Sequence, residues 1–270
     1  MIISIEGQEA TGKTTLAYTA PYPIVGISFD LGDRRAIYGT KYPEYFAGME
    51  VAIIEHSREL AEEAYKKATG NDITIFQLRM PVQMETGKLS GCIELWDKFI
   101  GLLVKAIEDS TISTVVVDTM TLARKLKADA HLQEAQKRDV GRQQLIQIEY
   151  GPVNDAIRNI YNYAQSTGKN LVATHHLQDE YKNVPGIGGR TESMPTGNMV
   201  LEGYNKTLQA VDLGVRMEKR KGELFGKLLK VGDNLSLEGQ ELANPNWNSI
   251  VTMIEMSLGE RIKLPHRKER

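Results

Sequence analysis

The chain has 270 residues, 41% hydrophobic and 25% charged, with a formal net charge of −2. That is an ordinary globular composition, enough for one large α/β domain. Overall charge announces no nucleic-acid or membrane partner, so any such surface must be local. The single cysteine, Cys92, excludes an internal disulfide. No apolar run approaches the ~18 residues that a transmembrane helix needs. The chain opens directly on a strand pattern rather than a secretory signal, so the expectation is a cytoplasmic protein without a membrane partner.

In chain order, the first predicted element is a strand through Ile3 and Ile5. Gly7-Gln8-Glu9-Ala10-Thr11-Gly12-Lys13-Thr14 follows, with Thr14 to Tyr18 opening a helix. A Gly-x4-Gly-Lys-Thr run between a strand and a helix is a phosphate-binding loop in its proper context. The glycines let backbone N–H groups and the helix N-terminus face an anion. Lys13 is expected on the β- and γ-phosphates, the Thr14 hydroxyl on Mg²⁺, and Thr15 near the α-phosphate.

After Tyr22-Pro23, residues 24–29 read as a buried strand that delivers Asp30, with Leu31-Gly32-Asp33-Arg34-Arg35 behind it. A carboxylate there fits the ligand-binding edge of an α/β sheet; the plainer reading is a turn or helix cap. Residues 37–48 read as loop, 49–55 as a strand ending in Glu55, 57–67 as a helix capped by Ser57, and 73–78 as a further strand. From Glu94 to Glu108, Trp96, Phe99, Ile100, Leu103 and Ile107 share one helical face, which is core packing.

Thr114-Val115-Val116-Val117-Asp118-Thr119 reads as a central parallel strand ending in a carboxylate. Alone this is a weak signal. Downstream of a complete phosphate loop it resembles the second nucleotide motif of P-loop ATPases, in which the aspartate organises Mg²⁺. Residues 122–150 form a polar helical stretch, read most simply as a solvated face. Gly151-Pro152 interrupts it, and a helix over 153–164 follows, with Ile157, Ile160, Tyr161 and Ala164 on one side. Residues 170–174 are another buried strand, delivering His175 and His176. Adjacent strand residues point oppositely and no further ligands are spaced nearby, so the pair does not read as a metal site.

Residues 178–203 are glycine-rich and read as a long, irregular loop, a class that is usually functional or mobile. Residues 210–220 and 224–231, joined at Lys221-Gly222-Glu223, read as a β-hairpin carrying Arg216, Lys219, Arg220, Lys221, Lys227 and Lys230. The end of the chain, from Gly259, reads as a flexible basic tail.

This order of motifs resembles the RecA-like P-loop ATPases. More narrowly, it is similar to short phage-encoded AAA-type members linked to single-strand annealing and recombination. The resemblance covers about residues 1–235, a RecA-like core with a mostly parallel sheet flanked by helices and a β-hairpin extension; 236–270 would be a C-terminal extension. It implies ATP and Mg²⁺ as cofactors, with Gly7 to Thr15 on the nucleotide and Thr14 and Asp118 on the metal. Asp30 would polarise the attacking water, with Glu55 as rival, and His175 or His176 would sense the γ-phosphate. The 178–203 loop would contact single-stranded DNA, with Lys182, Arg190, Lys206, Tyr181 and Tyr204 as candidates. Arg220, Lys227 or Lys230 would reach a neighbouring subunit's nucleotide in a ring or filament, as a finger in trans does. A single-strand-binding protein is a further implied partner.

Two other readings stay open. Ile5-Glu6-Gly7 resembles the opening of thymidylate kinases, and Asp33-Arg34 could imitate their substrate-binding pair. An ATP-dependent assembly switch with little hydrolysis is the other. DNA binding is the soft part of the main reading, because residues 178–230 hold nine basic against seven acidic side chains.

Overall fold

The computed structural model describes residues 1–55, 65–66, 69–85, 87–185, 191–232 and 234–261. The expected helix over 57–67 and most of the basic tail lie outside these residues.

Eleven strands and seven α-helices are assigned among the described residues. The strands are β1 (Ile2–Gly7), β2 (Ile24–Ser28), β3 (Val51–Glu55), β4 (Ile73–Gln77), β5 (Thr114–Asp118), β6 (Asn170–His175), β7 (Leu177–Pro185), β8 (Thr191–Leu201), β9 (Leu213–Arg220), β10 (Glu223–Val231) and β11 (Glu241–Ala243). The helices are α1 (Lys13–Ala17), α2 (Asp33–Tyr38), α3 (Cys92–Glu108), α4 (Met120–Gln136), α5 (Tyr150–Ser166), α6 (Thr207–Ala210) and α7 (Trp247–Leu258).

Nine strands form one sheet in the order β11-β10-β9-β1-β6-β5-β2-β4-β3. From β9 to β3 every pairing is parallel; β10 and β11 add antiparallel at one edge. The valine-rich β5 is buried on both faces, as a central parallel strand should be. The registers Glu6↔His175 and Ser28↔Asp118 align the carboxyl ends of β1, β6, β5 and β2, where ligands bind in open α/β sheets.

One core lies between the sheet and helices α3, α4, α5 and α6. Trp96, Phe99, Leu103 and Ile107 repeat at i, i+3, i+7 and i+11, so α3 buries one continuous stripe. Its first turn has no side-chain cap of its own. Gln133 of α4 stands in, its carbonyl accepting from the backbone N–H groups of Cys92 (2.8 Å) and Ile93 (3.1 Å). The other core packs α1, α7 and the short 3-10 turn at Pro43–Phe46 on the opposite face. Residues 241–258, set apart in the sequence as an extension, thus join the same sheet and core through β11, Trp247, Ile250, Val251 and Ile254.

Two expectations need correction. The polar stretch from 122 to 150 is not one helix: α4 ends at Gln136, and Gln136 bonds the carbonyls of Gly87 (2.6 Å) and Arg142 (2.7 Å) in the loops beyond. The described residues of 178–203 are not an irregular loop, because β7 and β8 pair as an antiparallel hairpin. Their apolar–polar alternation is weak because no described residue of this hairpin is buried, so neither face needs to be apolar.

Behind α1, the space beside Gly26 is taken by Tyr18, whose hydroxyl and ring would clash with a Cβ at that position. Tyr18 Oη bonds Asp33 at 3.3 Å, and Gln77 donates to the same carboxylate at 2.9 Å. Gly26→Ala should therefore overpack this buried network. A loss of about 1–3 kcal/mol is expected from the urea midpoint, and an unchanged midpoint would show that the contact relaxes freely.

Candidate nucleotide site

Glycine is required at both ends of the Gly7–Thr14 loop. A Cβ on Gly7 would lie 2.6 Å from the carbonyl of Met217, and Gly12 takes φ = 83° with Leu224 2.7 Å from where its Cβ would be. Ala10 is also left-handed, at φ = 57°. Between them Thr11 donates to the Gln8 carbonyl at 2.7 Å. Lys13 is buried under this loop, its ammonium donating to the carbonyls of Gly7 (2.9 Å) and Gln8 (2.7 Å). Burial lowers its pKa, opposed by the nearby charges of Asp118, Asp30 and Glu9.

Asp118 ends β5 one strand beyond β6, and the gap is bridged by hydroxyls. Thr14 Oγ1 donates to Asp118 Oδ2 at 3.0 Å, and Thr174 on β6 donates to Asp118 Oδ1. The carboxylate is 1% exposed. Burial pushes its pKa up to about 7, against the Thr174 and Thr14 hydrogen bonds and with the charges of Asp33 and Asp30. The Asp118–Thr119 peptide is cis, and Thr119 then caps α4 by accepting from the Leu122 N–H at 3.2 Å.

These groups open onto a cleft of about 490 Å³, walled by the loop and by Asp30, Arg35, Lys41, Lys219 and Leu224. That volume suits a nucleotide-sized ligand. One hydroxyl and one carboxylate, with phosphate oxygens and water, are also the donor set by which Mg²⁺ is usually held.

The cleft brings together Gly12, Lys13, Thr14, Thr15, Asp30, Asp118 and His176. Thr15 reaches it, but its hydroxyl donates to the Ala36 carbonyl at 2.9 Å, tying α1 to α2. The two histidines separate. His175 is buried against the Tyr161 hydroxyl (3.2 Å), and burial, with His176 and Lys13 nearby, lowers its pKa to about 3. It is a neutral core residue off the cleft wall, and of the two histidines His176 lines the cleft. The rival carboxylate Glu55 is also removed: it pairs with Arg79 at 2.8 Å on the edge strand β3.

The other candidates scatter. Lys230 is corrected to a structural role, its ammonium bonding the carbonyls of Leu208 (2.8 Å) and Val211 (2.6 Å). Arg220 pairs with Glu241 at 2.8 Å and lies over the Phe225 ring. Lys227 lies outside the cleft wall. Tyr181 and Lys182 are exposed on β7 and Lys206 precedes α6 exposed, whereas Tyr204 is 7% exposed within the core and cannot stack on a base. Arg190 lies outside the described residues. Asp33 is buried with Tyr18 and Gln77, so an Asp33-Arg34 substrate pair is not formed.

Sequence reasoning missed Arg35, Lys41, Lys219, Leu224 and the hydroxyl of Thr174 as parts of this site. Only Lys219 had a usable signal, since it continues the alternation of Leu213, Val215 and Met217.

A strand, a glycine-shaped loop over a buried lysine, and a hydroxyl-held aspartate opposite define a P-loop nucleotide-binding site. A family model described as AAA domain matches residues 1–237. The chain belongs to this AAA domain family of P-loop NTPases. A solved structure of the RadB recombinase is similar over 90% of this chain and 85% of its own, at 13% identity and a TM-score of 0.45. Comparison with curated protein sequences finds no match.

In the nucleotide-free protein, the raised Asp118 pKa means that folding favours the protonated carboxyl. That stabilisation is complete below the ordinary carboxylate range and is lost as pH rises through about 7. Asp118→Asn should gain stability over the parent between pH 4 and 7, by at most about 1.4 kcal/mol per pH unit, and level off above. Urea midpoints across that range check this; a constant difference would contradict it.

Proposed function

We propose that the chain is a Mg²⁺-dependent ATPase of RecA-like type that works as an oligomer on single-stranded DNA. The observation that carries the ATPase reading is the Thr14–Asp118–Thr174 arrangement beside Lys13. Thr14 and Asp118 would hold Mg²⁺, which neutralises charge on the phosphates of the bound nucleotide. Lys13 would leave the Gly7 and Gln8 carbonyls for the phosphates. Asp30, exposed on the cleft wall, would orient the attacking water, and His176 would meet the γ-phosphate.

The DNA reading is supported by where the β7–β8 hairpin is rooted. His176 N–H donates to Thr121 Oγ1 at 3.0 Å, that hydroxyl donates to the Glu202 carbonyl at 3.2 Å, and Glu202 N–H returns to the His176 carbonyl at 2.9 Å. A change at His176 would therefore be passed to the hairpin base. The hairpin offers Tyr181 and Lys182 for stacking and backbone charge. Arg220 and Lys227 would remain for a neighbouring subunit.

The hairpin's charge favours a second reading. Its described strands carry Asp179, Glu180 and Glu192 against Lys182. An acidic hairpin suits a protein contact, and the chain would then be an ATP-dependent assembly switch.

ATP turnover measured across protein concentration, with and without single-stranded DNA, separates the two. The DNA-linked ATPase predicts a rate per subunit that rises with both; a flat, near-zero rate supports the switch. Lys13→Ala should abolish MgATP binding. Asp118→Ala should keep part of that binding and slow hydrolysis by about 100-fold or more, since it removes a Mg²⁺ ligand. Normal turnover in both variants would refute the site.

A further inference from the structure

Strand alternation sorts the basic residues of the β9–β10 hairpin onto two faces. Leu213, Val215 and Met217 all point into the core shared with Leu16 of α1 and Trp247 of α7. Lys219 is the next residue on that face. Its cross-strand partner is Leu224, the side chain that lies against Gly12 of the phosphate loop. Lys219 and Leu224 both line the nucleotide cleft of their own chain.

The other faces lead elsewhere. Arg216 bonds Glu6 through Nε at 2.7 Å, and Arg220 goes to Glu241. Phe225 lies under Arg220, so Lys227, two residues on, shares the face turned away from the loop. The hairpin tip is also held in place. Lys41 Nζ donates to the Gly222 carbonyl at 2.8 Å, and the Tyr42 hydroxyl meets Glu223 at 3.3 Å. Lys221 and Gly222 turn the chain with φ of 50° and 87°, which closes a tight two-residue hairpin.

We propose that Lys219 is a phosphate ligand supplied in cis: its ammonium binds the polyphosphate of the nucleotide held by the same chain's Lys13 and Thr14. This rests on the nucleotide-site reading above. Hydrolysis needs positive charge besides Lys13 and Mg²⁺, and a finger in trans is one source. Here the hairpin tip is tied to Lys41 and Tyr42 and lays Leu224 against Gly12 of its own phosphate loop, so part of that charge is present before any assembly. The cleft wall carries Lys13, Arg35, Lys41 and Lys219 against Glu9, Asp30 and Asp118. The net excess suits a polyphosphate anion.

The test uses the full chain and a fluorescent, non-hydrolysable ATP analogue with Mg²⁺. Lys219→Ala should weaken binding about tenfold, the size of one charge-assisted hydrogen bond. Lys219→Arg should restore most of it. Affinity in the parent should not depend on protein concentration. A second measurement mixes Lys13→Ala subunits with Lys219→Ala subunits and follows hydrolysis. Action in cis predicts no gain over the separate variants. Recovered activity would mean that Lys219 serves a neighbour's site and would overturn the proposal. Unchanged analogue affinity in Lys219→Ala would overturn it too. Absence of analogue binding in the parent would instead overturn the nucleotide reading, and the proposal with it.

Discussion

The structure turns on one buried carboxylate. Asp118 ends the central strand β5 with almost no solvent, held by hydroxyls from two other elements. A buried, unpaired carboxylate costs several kcal/mol in an apolar setting. Two hydroxyl donors and the nearby Lys13 offset part of that cost; burial nonetheless leaves the carboxyl half-neutral near pH 7. A divalent cation is the natural completion of such a site, since it restores the charge that burial suppresses. The same contacts fix the phosphate loop against β5 and β6, so the carboxylate that would organise the metal also sets the geometry of the loop.

Around this centre the chain builds outward from the carboxyl edge of the sheet. Parallel pairing brings β1, β6, β5 and β2 to a common edge, so the loop, His176, Asp118 and Asp30 meet without long connections. Two sequence-distant segments then close the sides: residues 35–41 and the β9–β10 tip, joined by Lys41 and Gly222. The β7–β8 hairpin leaves the same edge, tied by backbone and hydroxyl bonds through Thr121 and Glu202. His176 on the cleft wall and the hairpin base thus share one short path of hydrogen bonds.

Much of this was legible in the sequence. The phosphate loop announces itself because glycine positions, lysine and hydroxyl are all demanded at fixed spacing by one ligand. The valine run of β5 and the stripe of α3 follow from periodicity alone. What was hidden depends on contacts between distant segments. Nothing local says which of two adjacent histidines faces inward; the Tyr161 hydroxyl decides it. Lys230 looks like a free cation until two carbonyls 19 and 22 residues away take its ammonium. The β7–β8 hairpin eluded the period test because none of its described residues is buried. Tyr204 resembles a stacking platform in sequence and is core in the fold.

The central claim is that Asp118 and Thr14 form half of a metal site completed by nucleotide phosphates. Calorimetric titration of an ATP analogue with and without Mg²⁺ tests it most directly. The account predicts affinity about tenfold or more higher with Mg²⁺, because one strong ion contact is worth at least ~1.4 kcal/mol. Equal affinity with and without the metal would contradict it and leave Asp118 as a buried structural acid.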